Sequence, residues 1–311
     1  MRKKQRSSPP RSRAPSAEAQ QRGGKRGGHR QDEAAVERGA MRSKPPENRH
    51  KHPRPHDSAP ALNCPKGAVM IWGRHAAEEA LKNRQRQALK IYISPDMTDW
   101  LKAISPAREI PDVVVIDKPA LSSALGATLG GDEKAVHQGV VVIARPLPQV
   151  NLHDWLDDLQ DDRPVVMLLD QITDARNIGA IMRSARAFRA SALIATDRHC
   201  PDESGMMLRT ASGAAEHIPL IRVVNLARAM ETLQDHGFML AGMAAQGTTP
   251  LSDLAGHDRL GIVMGAEGKG LRRLTQDHAD LLVRIPIDDA AESLNVSNAA
   301  AVALYAAQRD G

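Results

Sequence analysis

From residue 67 onward the chain alternates short apolar runs with amphipathic stretches, and before that point it does neither. Residues 69–72 and 89–93 read as strands, and 113–116 and 140–143 are β-branched runs of the kind found in buried strands. Between the first two lies 75–84, where Ala76, Ala77, Ala80 and Leu81 recur at helical spacing. Beyond residue 163 the rhythm lengthens. Strands are predicted at 165–169, 192–195, 238–241, 260–264 and 281–285, and helices at 178–189, 203–213, 226–236 and 294–309. Strands that alternate with helices imply a largely parallel sheet covered on both faces.

The predicted fold class is therefore α/β, in two parts. A small α/β body covers 67–147, a connection covers 148–162, and a larger, mainly parallel body covers 163–311. The connection is marked by Pro146, Pro148 and the acidic patch from Asp154 to Asp162. No repeat of solenoid period is present.

Charge changes the picture of the N-terminus. Residues 1–66 hold 17 Lys or Arg against 6 Asp or Glu, and the rest of the chain carries a net −6, although the total is +5. That basic tail is rich in Arg, Pro, Gly, Ser and His and has almost no large apolar groups. It is expected to be disordered, because it cannot bury enough surface to offset ordering entropy. A flexible basic arm suits a polyphosphate partner; a solubilising or targeting extension is the other reading. No apolar run reaches the roughly 20 residues a bilayer needs, and the N-terminus has no secretory h-region. Cys64 and Cys200 have no ligand-like neighbours, so the sequence implies a cytoplasmic protein with no metal and no membrane partner.

Three polar islands interrupt the second body where strand runs end, which is where open α/β sheets bind ligands. The first is Asn177-Ile178-Gly179-Ala180-Ile181-Met182-Arg183-Ser184-Ala185. Asn177 fits a helix N-cap, and Arg183, Arg186 and Arg189 fall on roughly one helix face. Arg183 sits in a small-residue run where close packing is expected, and a buried arginine needs a partner. The second island, Met264-Gly265-Ala266-Glu267-Gly268-Lys269-Gly270-Leu271, offers one in Glu267. It is neither GxGxxG nor a Walker A loop, and reads equally as a tight turn. The third runs from Ile285-Pro286-Ile287 through an acidic loop to Ser293-Leu294-Asn295-Val296-Ser297-Asn298, where Asn295 and Ser297 are candidate caps.

Taken together, NIGAIMRSA, MGAEGKGL and IPI…SLNVSNA resemble, in order and spacing, the three motifs of SpoU-type (TrmH-family) RNA ribose 2′-O-methyltransferases of the SPOUT class. The resemblance covers about 164–311. Residues 68–145 are also similar to that family's small RNA-binding domain, down to the turn Ala135-Val136-His137-Gln138-Gly139 found in bacterial 23S rRNA guanosine methyltransferases. The resemblance implies S-adenosylmethionine as cofactor, 23S rRNA as partner, a C-terminal trefoil knot and a homodimer. It places Gly265, Ile285 and Leu294 at the cofactor, and Asn177, Arg183, Glu267, Ser293 and Asn295 around the reacting atoms. Asn298 stands where a small apolar residue is more usual, and Ala301 where glycine is frequent. A tRNA ribose methyltransferase and a non-catalytic ribosome-assembly factor are the alternatives. Arginine stays protonated in ordinary protein settings, so Arg183 is expected to hold a phosphate and stabilise developing alkoxide rather than act as base. Only seven aromatics occur, mostly in predicted core elements, so base stacking is not expected.

Overall fold

The computed structural model describes residues 61–104, 109, 112–131, 135–288 and 293–308, all within one unit, Arg54–Gly311. Expectations for residues 1–60 of the basic tail, for the acidic stretch 289–292 and for the end of the last helix at 309 lie outside the described residues; in the rest of the tail, 61–66, Leu62 is buried and its N–H donates to Thr128 Oγ1 at 2.8 Å.

Four strands build the first sheet: β1 (Val69–Trp72), β2 (Ala88–Ile93), β3 (Val113–Val115) and β4 (Val140–Ala144), in the order β1-β4-β2-β3. β4 runs antiparallel to both of its neighbours, and β3 lies parallel to β2. Every residue of β4 is buried, which is why its sequence is an unbroken apolar run. Helix α1 (Arg74–Lys82) and α2 (Thr98–Ala103) cover one face. The other is covered by α3 (Lys118–Thr128), whose Leu121 and Leu125 pack with Trp72, Tyr92, Val141 and Ile143.

The turn that closes this sheet needs its glycine. Gly139 has φ +84, and a Cβ there would meet the Ser94 hydroxyl at 2.3 Å. His137, buried beside it, accepts a hydrogen bond from Gly139 N at Nδ1 (3.0 Å) and meets Ser122 Oγ at Nε2 (2.7 Å).

After α4 (Leu152–Asp157) comes a seven-stranded sheet. Its strands are β5 (Val165–Asp170), β6 (Ala192–Thr196), β7 (Leu220–Val223), β8 (Met239–Met243), β9 (Thr249–Pro250), β10 (Leu260–Gly265) and β11 (Leu281–Arg284). The order is β7-β6-β5-β10-β8-β11-β9, and every recorded pairing is parallel. From β5 the chain steps outward through β6 and β7, then crosses back to β8, so the order reverses between β5 and β10. Register pairs Asp170 with Gly265 at the carboxyl ends of those two strands. That is the switch point at which open α/β sheets form their ligand crevice.

Helices α5 (Ala175–Ala187), α6 (Gly205–Ala211), α7 (Leu226–Asp235), α8 (Arg273–Asp277) and α9 (Val296–Ala307) complete the fold. In α7, Leu226, Ala229, Met230 and Leu233 form one buried stripe, and Asn225 caps it by accepting from Arg228 N. The expected connection at 148–162 is partly helical: α4 lies inside it, and Leu152 and Leu156 are buried in the core on that face.

Candidate active site

Each of the three polar islands leaves a different element, and the fold brings one side chain from each to a single point. Helix α5 begins at Ala175 because the Asp174 carboxylate accepts from Arg176 N at 2.8 Å. That corrects the reading of Asn177 as the cap. Asn177 lies within the first turn instead, where its side chain is free to reach outward. Glu267 sits on the loop after β10, which folds tightly because Gly270 N donates to Ala266 O at 2.8 Å. Only glycine fits at 265: a Cβ would lie 2.2 Å from the carbonyl carbon of Gly270. Asn295 is the N-cap of α9, its Oδ1 accepting from Ser297 N at 2.9 Å and from Ser297 Oγ at 2.5 Å. Asn295 thus satisfies the capping expectation, while Ser297 supports the cap rather than making it.

The free end of each asparagine then points at the same carboxylate. Asn177 Nδ2 donates to Glu267 Oε1 at 3.0 Å, and Asn295 Nδ2 donates to that oxygen at 2.7 Å. Asn295 Nδ2 also lies 3.2 Å from Asn177 Oδ1. Two amide donors on one oxygen fix the carboxylate and leave Oε2 without a partner among the described residues. Glu267 is itself exposed, so this hydrogen-bonded hub faces a surface a ligand can reach.

Beside the hub lies a cleft of about 330 Å³, within the range of small-molecule sites. It is walled by the loop Gly265–Leu271, by Met243 and Met264 at the ends of β8 and β10, and by Ile285 and Leu294 before α9. Gly265, Ile285, Leu294, Glu267 and Ser293 all line it. Its lining interleaves apolar side chains and loop backbone with a few polar groups, Gln246, Gln276 and Ser293 among them, which suits a ligand with both an apolar part and hydrogen-bonding groups. Met243 was missed by sequence reasoning, because its place depends on β8 lying next to β10, and no local pattern encodes that adjacency.

Asp170 explains why the cleft's glycine loop holds its shape. The residue is fully buried, and its carboxylate accepts from Arg272 Nε (2.6 Å), Arg272 N (3.1 Å) and Thr275 Oγ1 (2.8 Å). The segment leaving the loop is thereby tied to the end of β5.

Arg183 differs from expectation. It is exposed and makes no ion pair with Glu267 or with any other described residue. The small-residue packing is real but belongs to another face of α5: a Cβ on Gly179 would lie 2.4 Å from Met207 O of α6. Nor does Arg189 share a face with Arg183 and Arg186, since it follows the helix with φ +54. Tyr305 on α9 is 69% exposed, unlike the other aromatics, and its ring meets Phe188 edge-on. Among the described residues no cluster of His, Cys, Asp and Glu could hold a metal, and no helix is long and apolar enough to cross a membrane.

The model of the SpoU rRNA Methylase family matches residues 164–305. Over 244 residues the chain is 35% identical to the 23S rRNA (guanosine-2′-O-)-methyltransferase RlmB of Salmonella typhimurium, covering 77% of this chain and 98% of the relative. The protein of that name from Photobacterium profundum is 36% identical over 244 residues, with 77% and 97% covered. Among solved structures, the SpoU methyltransferase AviRb from Streptomyces viridochromogenes in complex with AdoMet shares the fold. Its TM-score is 0.64 at 23% identity, with 78% of this chain and 89% of that one covered.

Proposed function

The chain belongs to the SpoU rRNA methylase family, and from that premise we propose that it transfers a methyl group from S-adenosylmethionine to the ribose 2′-hydroxyl of a guanosine in 23S rRNA. The observation that carries the proposal is the sharing of Glu267 Oε1 by Asn177 and Asn295, beside a cleft of cofactor size. The relatives that match nearly end to end are named for 23S rRNA, which favours that substrate over tRNA.

Bound in the cleft, S-adenosylmethionine supplies an electrophilic methyl group. Gly265, Ile285 and Leu294 would hold it, and the fit is supported by the glycine loop, which lines the cleft and returns so closely on Gly265 that a Cβ there would disrupt it. A ribose hydroxyl is a weak nucleophile, so the protein's part is alignment and charge. Alignment of this kind can supply about 7–11 kcal/mol of a barrier. Glu267, held at Oε1, keeps Oε2 available to accept from an incoming hydroxyl. Ser293 borders the same cleft and guides the ribose. Arg183, exposed and unpaired among the described residues, holds the adjoining phosphate and stabilises negative charge as it develops on the oxygen.

The same reading includes a C-terminal trefoil knot, supported by β10 lying inserted between β5 and β8. It includes a homodimer, supported by Val302 and Tyr305 exposed on α9, the helix that Asn295 caps. It makes the first sheet an RNA-binding domain and places the protein in the cytoplasm. The test is transfer of labelled methyl from S-adenosylmethionine to 23S rRNA, followed by mapping of the modified ribose. Incorporation at one guanosine is expected, and its absence with a protein that binds the cofactor would overturn the assignment.

A further inference from the structure

Arg86 lies in the loop between α1 and β2, within a run of polar residues, yet its side chain is entirely buried. The loop inserts it into the second body. Nη2 donates to Glu216 Oε1 at 2.7 Å, and Nε meets both oxygens of Glu216 at 3.1 Å. Nη1 bonds the carbonyl of Arg145 at 3.0 Å and pairs with Glu203. Asn83, three residues earlier, donates to Glu216 Oε2 at 2.8 Å. Burial pulls the Arg86 pKa down, but hydrogen bonds and charge from Glu216 and Glu203 outweigh it and hold the guanidinium above its ordinary value.

Glu203 and Glu216 flank α6, and the first sheet grips that helix along its length. Trp72 of β1 packs on Gly205, where a Cβ would meet the ring at 2.0 Å, and the guanidinium of Arg209 lies against Gly73. Glu79 of α1 bonds His217. On its other side α6 packs against α5, which carries Asn177. A single chain of contacts therefore runs from the first sheet through α6 and α5 to the hub.

A buried ion pair is seldom more stabilising than apolar residues of the same volume, because desolvation offsets the attraction. A planar guanidinium with five fixed donors does impose direction. We infer that Arg86 is a positioning residue that sets the orientation of the first sheet against the second body, and so determines which ribose of a bound RNA reaches the hub. The inference rests on the reading of the protein as an RNA methyltransferase.

The experiment uses the full chain with Cys64→Ser and Cys200→Ala, spin-labelled through Val115→Cys and Val224→Cys at two exposed positions. One narrow distance distribution is expected, broadened in Arg86→Met and less so in Glu203→Gln. In those variants KM for an rRNA fragment should rise about tenfold, while kcat and S-adenosylmethionine affinity stay within about twofold. Arg86→Lys should recover part of the KM. A broad distribution in the parent overturns the inference, as does an unchanged one in both variants, or an unchanged KM alongside a broadened one. Should Arg86→Met not fold, Glu203→Gln decides. The distance measurement needs no turnover, so failure of the methyltransferase reading shows separately, as lack of cofactor binding or of methyl transfer to any RNA.

Discussion

Asn177 and Asn295 stand 118 residues apart in sequence, yet their side chains lie 3.2 Å from each other and donate to the same oxygen of Glu267. Neither contact is local, so each reports that α5, the β10 loop and the cap of α9 are assembled together. Residues acting as a unit are non-additive. Asn177→Ala and Glu267→Ala should each lower kcat by about 100-fold or more, the scale of losing one preorganised polar group. The double variant should be little worse than either single one. Fully multiplicative losses in steady-state kinetics would show that the hub does not act as one device.

Arg183 offers the opposite separation. Exposed and without an ion pair among the described residues, it supports no packing, so Arg183→Ala should change stability by no more than about 0.5 kcal/mol. Turnover should be abolished while S-adenosylmethionine still binds. Calorimetric cofactor titration beside a methylation assay checks both, and near-normal methylation would refute the role given to this arginine.

The two asparagines and Arg183 also show what the sequence could and could not convey. Parallel strands buried on both faces read as unbroken apolar runs, so β5, β6, β8 and β10 were predicted within one or two residues of their bounds. The short strand β7 and the helix α3, which carries Gly126 in its last turn, have weaker periodicity and were missed. Helix α4 was hidden because its exposed side is acidic, which made the segment resemble a connection. Motif resemblance identified the hub residues, but it could not assign faces. The small residues of α5 signal close packing, and only coordinates show that Gly179 makes it against α6 while Arg183 points to solvent. Arg86, in a polar loop, gave no local sign of burial, because its partners lie 117 and 130 residues away.

Asp170 is the residue whose removal should damage the cleft from beneath. Asp170→Ala leaves Thr275 Oγ1, Arg272 N and the Arg272 guanidinium without their acceptor. Breaking a buried pair costs about 3–5 kcal/mol, and the lower end applies because Arg272 is 45% exposed and can rehydrate. Denaturant unfolding should register that loss. Cofactor affinity should fall with it, since the freed segment continues directly from the glycine loop. Unchanged affinity in the folded variant would show that the loop holds its shape without this anchor.

His137 gives a pH dependence with a definite sign. Burial first, and the charge of Lys118 second, push its pKa below the ordinary value. Nδ1 must stay bare to accept from Gly139 N, so protonation there breaks the turn's hydrogen bond. The unfolded chain takes up this proton near pH 6.5, whereas the folded chain resists it to lower pH. Stability should therefore decline as pH falls below about 6.5, levelling off once the folded-state pKa is passed. The difference in stability between wild type and His137→Leu should shrink over that window. A difference independent of pH would exclude the histidine as its source.

The basic N-terminal segment can be tested through salt. Residues 1–60 carry 16 Lys or Arg against 6 Asp or Glu, while the chain beyond residue 66 is net acidic. An acidic body gains little from counterion release, so a segment of this charge would dominate the ionic part of RNA binding. Each phosphate contact contributes about 0.7 to the slope of log K against log salt for single strands. Loss of six such contacts would flatten that slope by about 4. Deleting residues 1–60 should thus weaken RNA binding at low salt far more than at high salt, and leave cofactor affinity unchanged. An equal slope for the full and shortened chains would assign RNA binding wholly to the folded part, with Arg74, Arg183 and Arg186 as the cations to test next.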